Sequence, residues 1–240
     1  MTDITFRDLH GMTEFRAAEA LQRAVWGAGD KEDPADLMMV VQHEGGICAG
    51  AFRDDQLLGY IFGFATREPH VQHSHRLAVL AEARGLGLGL RLKWYQRDWC
   101  LARGIAHVRW TYDPLRSANA GLNITRLGAI ADTYYPDYYG EMEGINRGAP
   151  SDRLLADWHL NSPRVVACAA GETALPADLV AHALRLPIPA DFGALLEQNP
   201  DAALHERLSF RAALQDAFAK GYTLRGYDTA SRDYLLIKDR

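Results

Sequence analysis

Three glycines stand within five residues, Gly85, Gly87 and Gly89, in the stretch Leu77-Ala78-Val79-Leu80-Ala81-Glu82-Ala83-Arg84-Gly85-Leu86-Gly87-Leu88-Gly89-Leu90. An apolar, strand-like run ends just before them. Just after them Leu88, Leu92, Tyr95, Trp99 and Ala102 recur at helical spacing. Glycine lets a backbone turn sharply and lets a ligand approach the main chain. The first turn of a helix leaves N–H groups without internal partners, and the helix dipole adds partial positive charge there. Together these features make an anion site, most naturally for phosphate, to which Arg84 could add charge-assisted hydrogen bonds. The plainer alternative is a tight strand-to-helix turn. Leu92 stands where G-x-G-x-x-G needs its third glycine, and G-x-x-x-x-G-K-[ST] is absent.

Other side chains could move protons. His70, His73 and His75 precede the glycines on one strand, and His73 and His75 share a face. Either is a candidate general base, and His75 the preferred one, since histidine titrates near neutral pH. A His-x-His pair can also hold a metal, but no carboxylate lies nearby in sequence, and no metal is expected. Asp113 ends the next strand, where parallel α/β sheets place ligands. It could orient or deprotonate an amine, or cap the turn at Pro114. Tyr134-Tyr135-Pro136-Asp137-Tyr138-Tyr139 offers four phenols, Tyr134 first among them, for proton donation or an acceptor pocket; tyrosines also fill ordinary β edges. Arg207 and Arg211 read as a solvated helix face.

These residues need a scaffold, and the periodicities supply one. Strands are predicted at Ile4–Arg7, Ile47–Arg53, Leu57–Ala65, His70–Leu80, Ile105–Tyr112, Ala129–Tyr135 and Arg153–Leu160. Helices are predicted from Thr13 to just before Gly27, near Asp36–His43, from Leu88 to Arg103, and near Arg116–Leu127. Asn161-Ser162-Pro163 marks a boundary. Residues 1–161 are read as a core domain and 162–240 as an extension, with one long helix near Ala202–Lys220 and a short strand pair. The extension packs on the core or on a partner chain, and a homodimer is one expectation.

The 240 residues carry a formal net charge of −5, against a nucleic-acid partner, which normally meets a basic excess. No run approaches the 18 apolar residues of a membrane span, and the N-terminus does not read as a secretory signal. Cys48, Cys100 and Cys168 form no paired motif and read as buried small hydrophobes. A cytoplasmic protein is expected.

Arg84-x-x-Gly87-x-Gly89, between a strand ending Leu77-Ala78-Val79 and a long helix, resembles the acyl-CoA-binding motif [QR]-x-x-G-x-[GA] of the GNAT N-acetyltransferase superfamily. The order of elements over roughly residues 3–160 is similar to that family as well. The resemblance implies an α/β (α+β) fold with a mixed, mostly antiparallel central sheet, splayed parallel strands in its middle and helices on both faces. It implies that the amides of Gly85, Leu86, Gly87, Leu88, Gly89 and Leu90 hold the CoA pyrophosphate. Main-chain groups of Leu77 and Val79 would pair with the pantetheine arm, and Asn119 would contact it. An N–H near Val79 could stabilise the oxyanion of acyl transfer. The implied activity moves an acyl group, most simply acetyl, from acyl-CoA to an amine on a small acceptor by direct attack. One departure matters. Many members carry Tyr-x-x-x-Gly-[FY], whose tyrosine protonates the leaving thiolate; here the stretch is Ile124-Thr125-Arg126-Leu127-Gly128-Ala129, with Ile124 in place of the acid. A CoA-binding or sensing module without transferase activity is therefore the alternative.

Overall fold

Alternating apolar residues between positions 4 and 109 build a sheet covered on both faces. The computed structural model describes residues 3–27, 29–140 and 149–238, in two compact units, residues 1–109 and 110–240. In the first, β1 (Ile4–Asp8), α1 (Gly11–Trp26), α2 (Ala35–His43), β2 (Ile47–Arg53), β3 (Gln56–Ala65), β4 (Val71–Val79) and α3 (Leu88–Leu101) lead into β5 (His107–Tyr112). The strands are hydrogen-bonded in the order β1-β2-β3-β4-β5. All ladders are antiparallel except β4–β5, which is parallel and crosses over through α3. This is the mixed, mostly antiparallel sheet that the sequence predicts.

The two faces of β3 pack differently. Tyr60 and Phe62 lie in one core cluster with Phe15, Leu21, Met38 and Ala78, beneath α1 and α2. Gly59 points the other way by strand alternation. A Cβ there would lie 2.9 Å from the Ala78 carbonyl oxygen and 3.4 Å from Leu92 Cδ1, so glycine lets α3 close on the sheet. Of the predicted α3 stripe, Leu88, Leu92 and Trp99 are buried, but so are Lys93 and Gln96. Lys93 Nζ donates to Ser74 Oγ and Gln96 Oε1, both at 3.0 Å, and Gln96 Nε2 donates to Gln72 Oε1 at 2.7 Å. Burial pushes the Lys93 ammonium down to about 7. A polar seam thus joins α3 to the first half of β4.

The second unit holds α4 (Ser117–Ala120), which runs into a π-helical turn at Gly121–Arg126, then β6 (Tyr134–Tyr135), β7 (Arg153–His159), α5 (Pro163–Ala169), α6 (Ala177–His182), β8 (Leu184–Pro187), α7 (Phe192–Gln198), α8 (Pro200–Ala219), β9 (Tyr222–Asp228) and β10 (Asp233–Lys238). Residues 141–148 of the Gly-rich connection before β7 lie outside the described residues. The predicted strand Ala129–Tyr135 shrinks to β6 plus isolated bridges at Ile130 and Ala131. The strand pair predicted in the tail is a three-stranded sheet, β8-β10-β9. At the Asn161-Ser162-Pro163 boundary Pro163 follows the Ser162 cap of α5, and Pro176 is the residue before α6.

The reading of Arg207 and Arg211 as a solvated face is overturned. Helix α8 buries Ala203, Arg207, Phe210, Leu214 and Ala217, and leaves Leu204 and Leu208 exposed. Arg207, 2% exposed, makes a two-point ion pair with Asp113, at 2.7 and 2.9 Å. One turn on, Arg211 holds Asp152 in the same way, at 2.9 and 2.6 Å. The tail is thereby tied to residues 110–160 of its own chain. All three cysteines are buried and free. Among the described residues no helix is long and apolar enough to cross a membrane.

Removing one partner of a buried ion pair strands the other charge. Asp113→Ala and Arg207→Ala are each expected to cost about 3 kcal/mol, and the double variant clearly less than their sum. Denaturant unfolding of the three variants reads this coupling, and additive costs would contradict it.

Candidate functional site

The glycine segment leaves β4 through a 3-10 turn at Ala81–Ala83. Gly85 then sits at φ +84° and Gly87 at φ +68°, ψ +17°. The left-handed conformation of Gly87 costs an L side chain about 1–2 kcal/mol, and it swings the chain straight into α3. No side chain caps α3. Arg91 donates the first N–H that bonds back into the helix, to the Gly87 carbonyl oxygen at 3.1 Å. The N–H groups of Leu88, Gly89 and Leu90 therefore lack intrahelical acceptors. A Cβ built on Gly85 or Gly87 would meet nothing within 4 Å, so the space before these donors is open. Arg84 is exposed beside it. An N–H-lined opening at a helix start, with an exposed arginine four residues before the helix, has the chemistry of a diphosphate cradle.

Strand β4 supplies the second element through one irregularity. Gly63 faces Ser74 and Phe62 faces Arg76, so His75 is an extra residue and two residues oppose one. Adjacent residues of a regular strand point to opposite faces. Here His75 and Arg76 both reach Asp33 in the connection between α1 and α2: His75 Nε2 lies 3.4 Å from Asp33 Oδ1, and Arg76 Nε 3.0 Å from Asp33 Oδ2. Arg76 also pairs with Asp30 and donates to the Lys31 carbonyl oxygen at 2.6 Å. Gln22 grips the Asp33 backbone from α1, accepting from its N–H at 2.8 Å. The His75 side chain stays one-third exposed. His73 instead stacks on Phe64, ring centroids 4.9 Å apart. Burial foremost, then the charges of His75, Arg109 and Lys93, push it down to about 4, so it is neutral at pH 7. Among the described residues no group of three His, Cys, Asp or Glu side chains could hold a metal.

The bulge also resets the strand. Ser74 faces α3 before it, Ala78 faces the α1–α2 core after it, and Leu77 contacts the α3 side, its Cδ2 lying 3.8 Å from a Cβ built on Gly89. The parallel ladder with β5 covers Val71–His73 only. Leu80 donates to the Leu58 carbonyl oxygen, so by antiparallel alternation the main-chain groups of Leu77 and Val79 point away from β3.

The remaining candidates lie in the second unit. Asp113 is occupied by Arg207, and its Oδ1 also accepts from the Leu115 N–H at 3.0 Å, which makes it a turn and ion-pair residue. Tyr134 is buried and donates to Asp152 Oδ2 at 2.6 Å; burial and that carboxylate push its hydroxyl far above the usual tyrosine range. Its tie to Asp152 and that upward shift both disfavour proton donation. Tyr139 is exposed, with its hydroxyl 3.2 Å from Thr111 Oγ1. Asn119 lies on α4, its Nδ2 3.5 Å from the Asp113 carbonyl oxygen. Ile124, at 0% exposure, is core. Asp33 and Arg76 were not singled out from sequence. Asp33 lies in a connection between two helices with no motif around it, and a bulge leaves no compositional mark.

Residues 12–121 match the model of the Acetyltransferase (GNAT) family. This stretch is a GNAT acetyltransferase domain. Among solved structures the chain resembles the ribosomal-protein-S18-alanine N-acetyltransferase of Escherichia coli, with 16% identity and a TM-score of 0.55, covering 67% of this chain and 96% of that one. It also resembles aminoglycoside 6'-acetyltransferase type Ii, with 18% identity and a TM-score of 0.54, over 67% and 98% of the two chains. A Salmonella typhimurium protein solved with its cofactor acetyl-CoA matches with 16% identity and a TM-score of 0.53, over 67% and 95%. At such identities the likeness is one of fold. No curated protein matches the chain.

The second helical residue, Gly89, allows a clean test of the cradle in the GNAT domain. Aspartate there meets only an ordinary contact with Leu77, and a negative charge in the first turn favours the helix by about 0.3–1 kcal/mol. Gly89→Asp is expected to keep or raise the melting temperature while weakening CoA binding about tenfold or more, roughly 1.4 kcal/mol. A thermal unfolding scan reads the first and calorimetric titration the second; parental CoA affinity would place the diphosphate elsewhere.

Proposed function

We propose that the chain is an acyl-CoA-dependent N-acyltransferase that moves an acyl group, most simply acetyl, to a primary amine. The observation that carries this reading is the row of N–H groups at Leu88–Leu90, together with the outward main-chain groups of Leu77 and Val79 on the strand leading to them. In this reading the diphosphate of acetyl-CoA rests on the Gly85–Leu90 segment under Arg84, and the pantetheine arm bonds to Leu77 and Val79.

The chemistry follows from the two faces of β4. The amine nitrogen attacks the thioester carbonyl carbon, and the carbonyl oxygen takes up negative charge near the Val79 N–H, where a fixed donor is worth most. His75, turned by the bulge and oriented by Asp33, accepts the proton of the amine. The C–S bond then breaks to give the amide and the CoA thiolate, which takes a proton from water. Neither Asp113 nor Tyr134 has a part in these steps. Asp30 and Asp33, with His75, make the α1–α2 side the one suited to a cationic acceptor. Ile124, buried where many relatives carry a tyrosine, is what favours the second reading, a module that binds CoA without transfer.

Free-thiol release from acetyl-CoA, measured over a panel with a peptide amine and an aminoglycoside, separates the two. Turnover with at least one amine is expected, and His75→Gln should lower kcat about a hundredfold with CoA affinity unchanged. Asp33→Asn should lower kcat by a smaller factor. Tight CoA binding without turnover on any amine favours the second reading, and full activity of His75→Gln removes histidine as the base.

A further inference from the structure

A cavity of about 540 Å³ lies within the second unit, lined by residues that the proposed transfer does not use. That volume is in the range that encloses a small organic molecule. One wall comes from β7 and β9, which contribute Asp157 and Arg225; the other comes from α5, the segment before α6, and α6 itself, with Ala167, Leu175 and Leu179. These walls are built. Leu175 Cδ1 packs against Gly226, where any Cβ would lie only 2.4 Å from it. The guanidinium of Arg164 donates to the carbonyl oxygens of Thr173 and Ala174, at 2.6 and 2.9 Å, and so fixes the segment that carries Leu175. Helix α6 buries none of its residues, yet Leu179 lines the cavity. Apolar side chains around an open volume forgo the dispersion contacts that a ligand body would supply.

The polar groups select a headgroup. Two guanidinium groups, Arg164 and Arg225, stand against one carboxylate, Asp157, so the lining is positive by one formal charge. The Arg164 guanidinium, held by the Thr173 and Ala174 carbonyl oxygens, is a fixed positive charge on that wall, and such a charge favours an anionic headgroup. We propose that this cavity binds a small carboxylic acid with an apolar body, aryl or medium-chain alkyl, its carboxylate on the arginine side and its body against Leu175 and Leu179.

Calorimetric titration of the full chain with octanoate and 4-phenylbutyrate, beside the neutral amide of each, tests the proposal. At least one acid is expected to bind, about tenfold or more tighter than its amide. Leu179→Trp fills the cavity from α6 and Ala167→Phe fills it from α5; each should abolish binding while keeping the parental melting temperature. Three results would overturn the proposal: no heat with either acid, equal affinity for acid and amide, or undiminished binding in whichever filled variant folds.

Discussion

One extra residue in β4 determines what the first unit can do. Without it, His75 and Arg76 would face opposite sides of the sheet. With it, both reach Asp33, which Gln22 holds from α1. The same insertion returns Ala78 to the α1–α2 core and sends Leu77 to the α3 side. A bulge also bends its strand and sharpens its twist, and the parallel ladder to β5 stops at His73, two residues before the extra one. The free edge of β4 and the histidine–carboxylate pair are thus two consequences of one irregularity.

That arrangement divides the labour of the proposed reaction between the faces of a single strand. Diphosphate needs donors that are fixed and open, and the left-handed Gly87 provides them by starting α3 without a cap. Proton removal needs a group oriented from the opposite layer, and Asp33 provides that. The seam of Lys93, Gln96, Ser74 and Gln72 holds α3 against the segment of β4 just ahead of the bulge. In the second unit, two arginines of α8 play the corresponding part: buried Arg207 holds Asp113 at two points and half-buried Arg211 holds Asp152 likewise. Burial alone would raise the Asp152 carboxyl, but the hydrogen bonds from Arg211 and Tyr134 outweigh it and hold Asp152 below the usual carboxylate range.

What was legible in the sequence was what is encoded locally. The glycine segment, the start of α3 and the main strands depend on neighbouring residues, and the structure has them where spacing puts them. His75 stood out because histidine is chemically conspicuous. Its partner Asp33 did not, because the contact runs across the sheet from another layer and the bulge that permits it is one ordinary residue. Arg207 was misread for a similar reason. An Ala-rich helix with leucines at 204, 208 and 214 looks amphipathic along those leucines, and Asp113, which reverses the buried face, is 94 residues away. Tyr134 and Asp113 had suitable chemistry, but ion pairing and burial commit them to structure. The tail's short helices and β8 escaped notice because each is only a turn or two long, too short for a periodicity to show.

In the proposed function, alternate main-chain groups of β4 and the first turn of α3 form one open row for an acyl-CoA. Amide hydrogen exchange, resolved by residue with and without acetyl-CoA, reads that row directly. The amides of Leu77, Val79, Leu88, Gly89 and Leu90 should exchange quickly alone and slowly with acetyl-CoA, while those of Ala78 and Arg91, already bonded, stay protected throughout. Slow exchange at Leu77 and Val79 in the free chain, or no new protection at Leu88–Leu90 with saturating acetyl-CoA, would mean that acyl-CoA does not lie along this row.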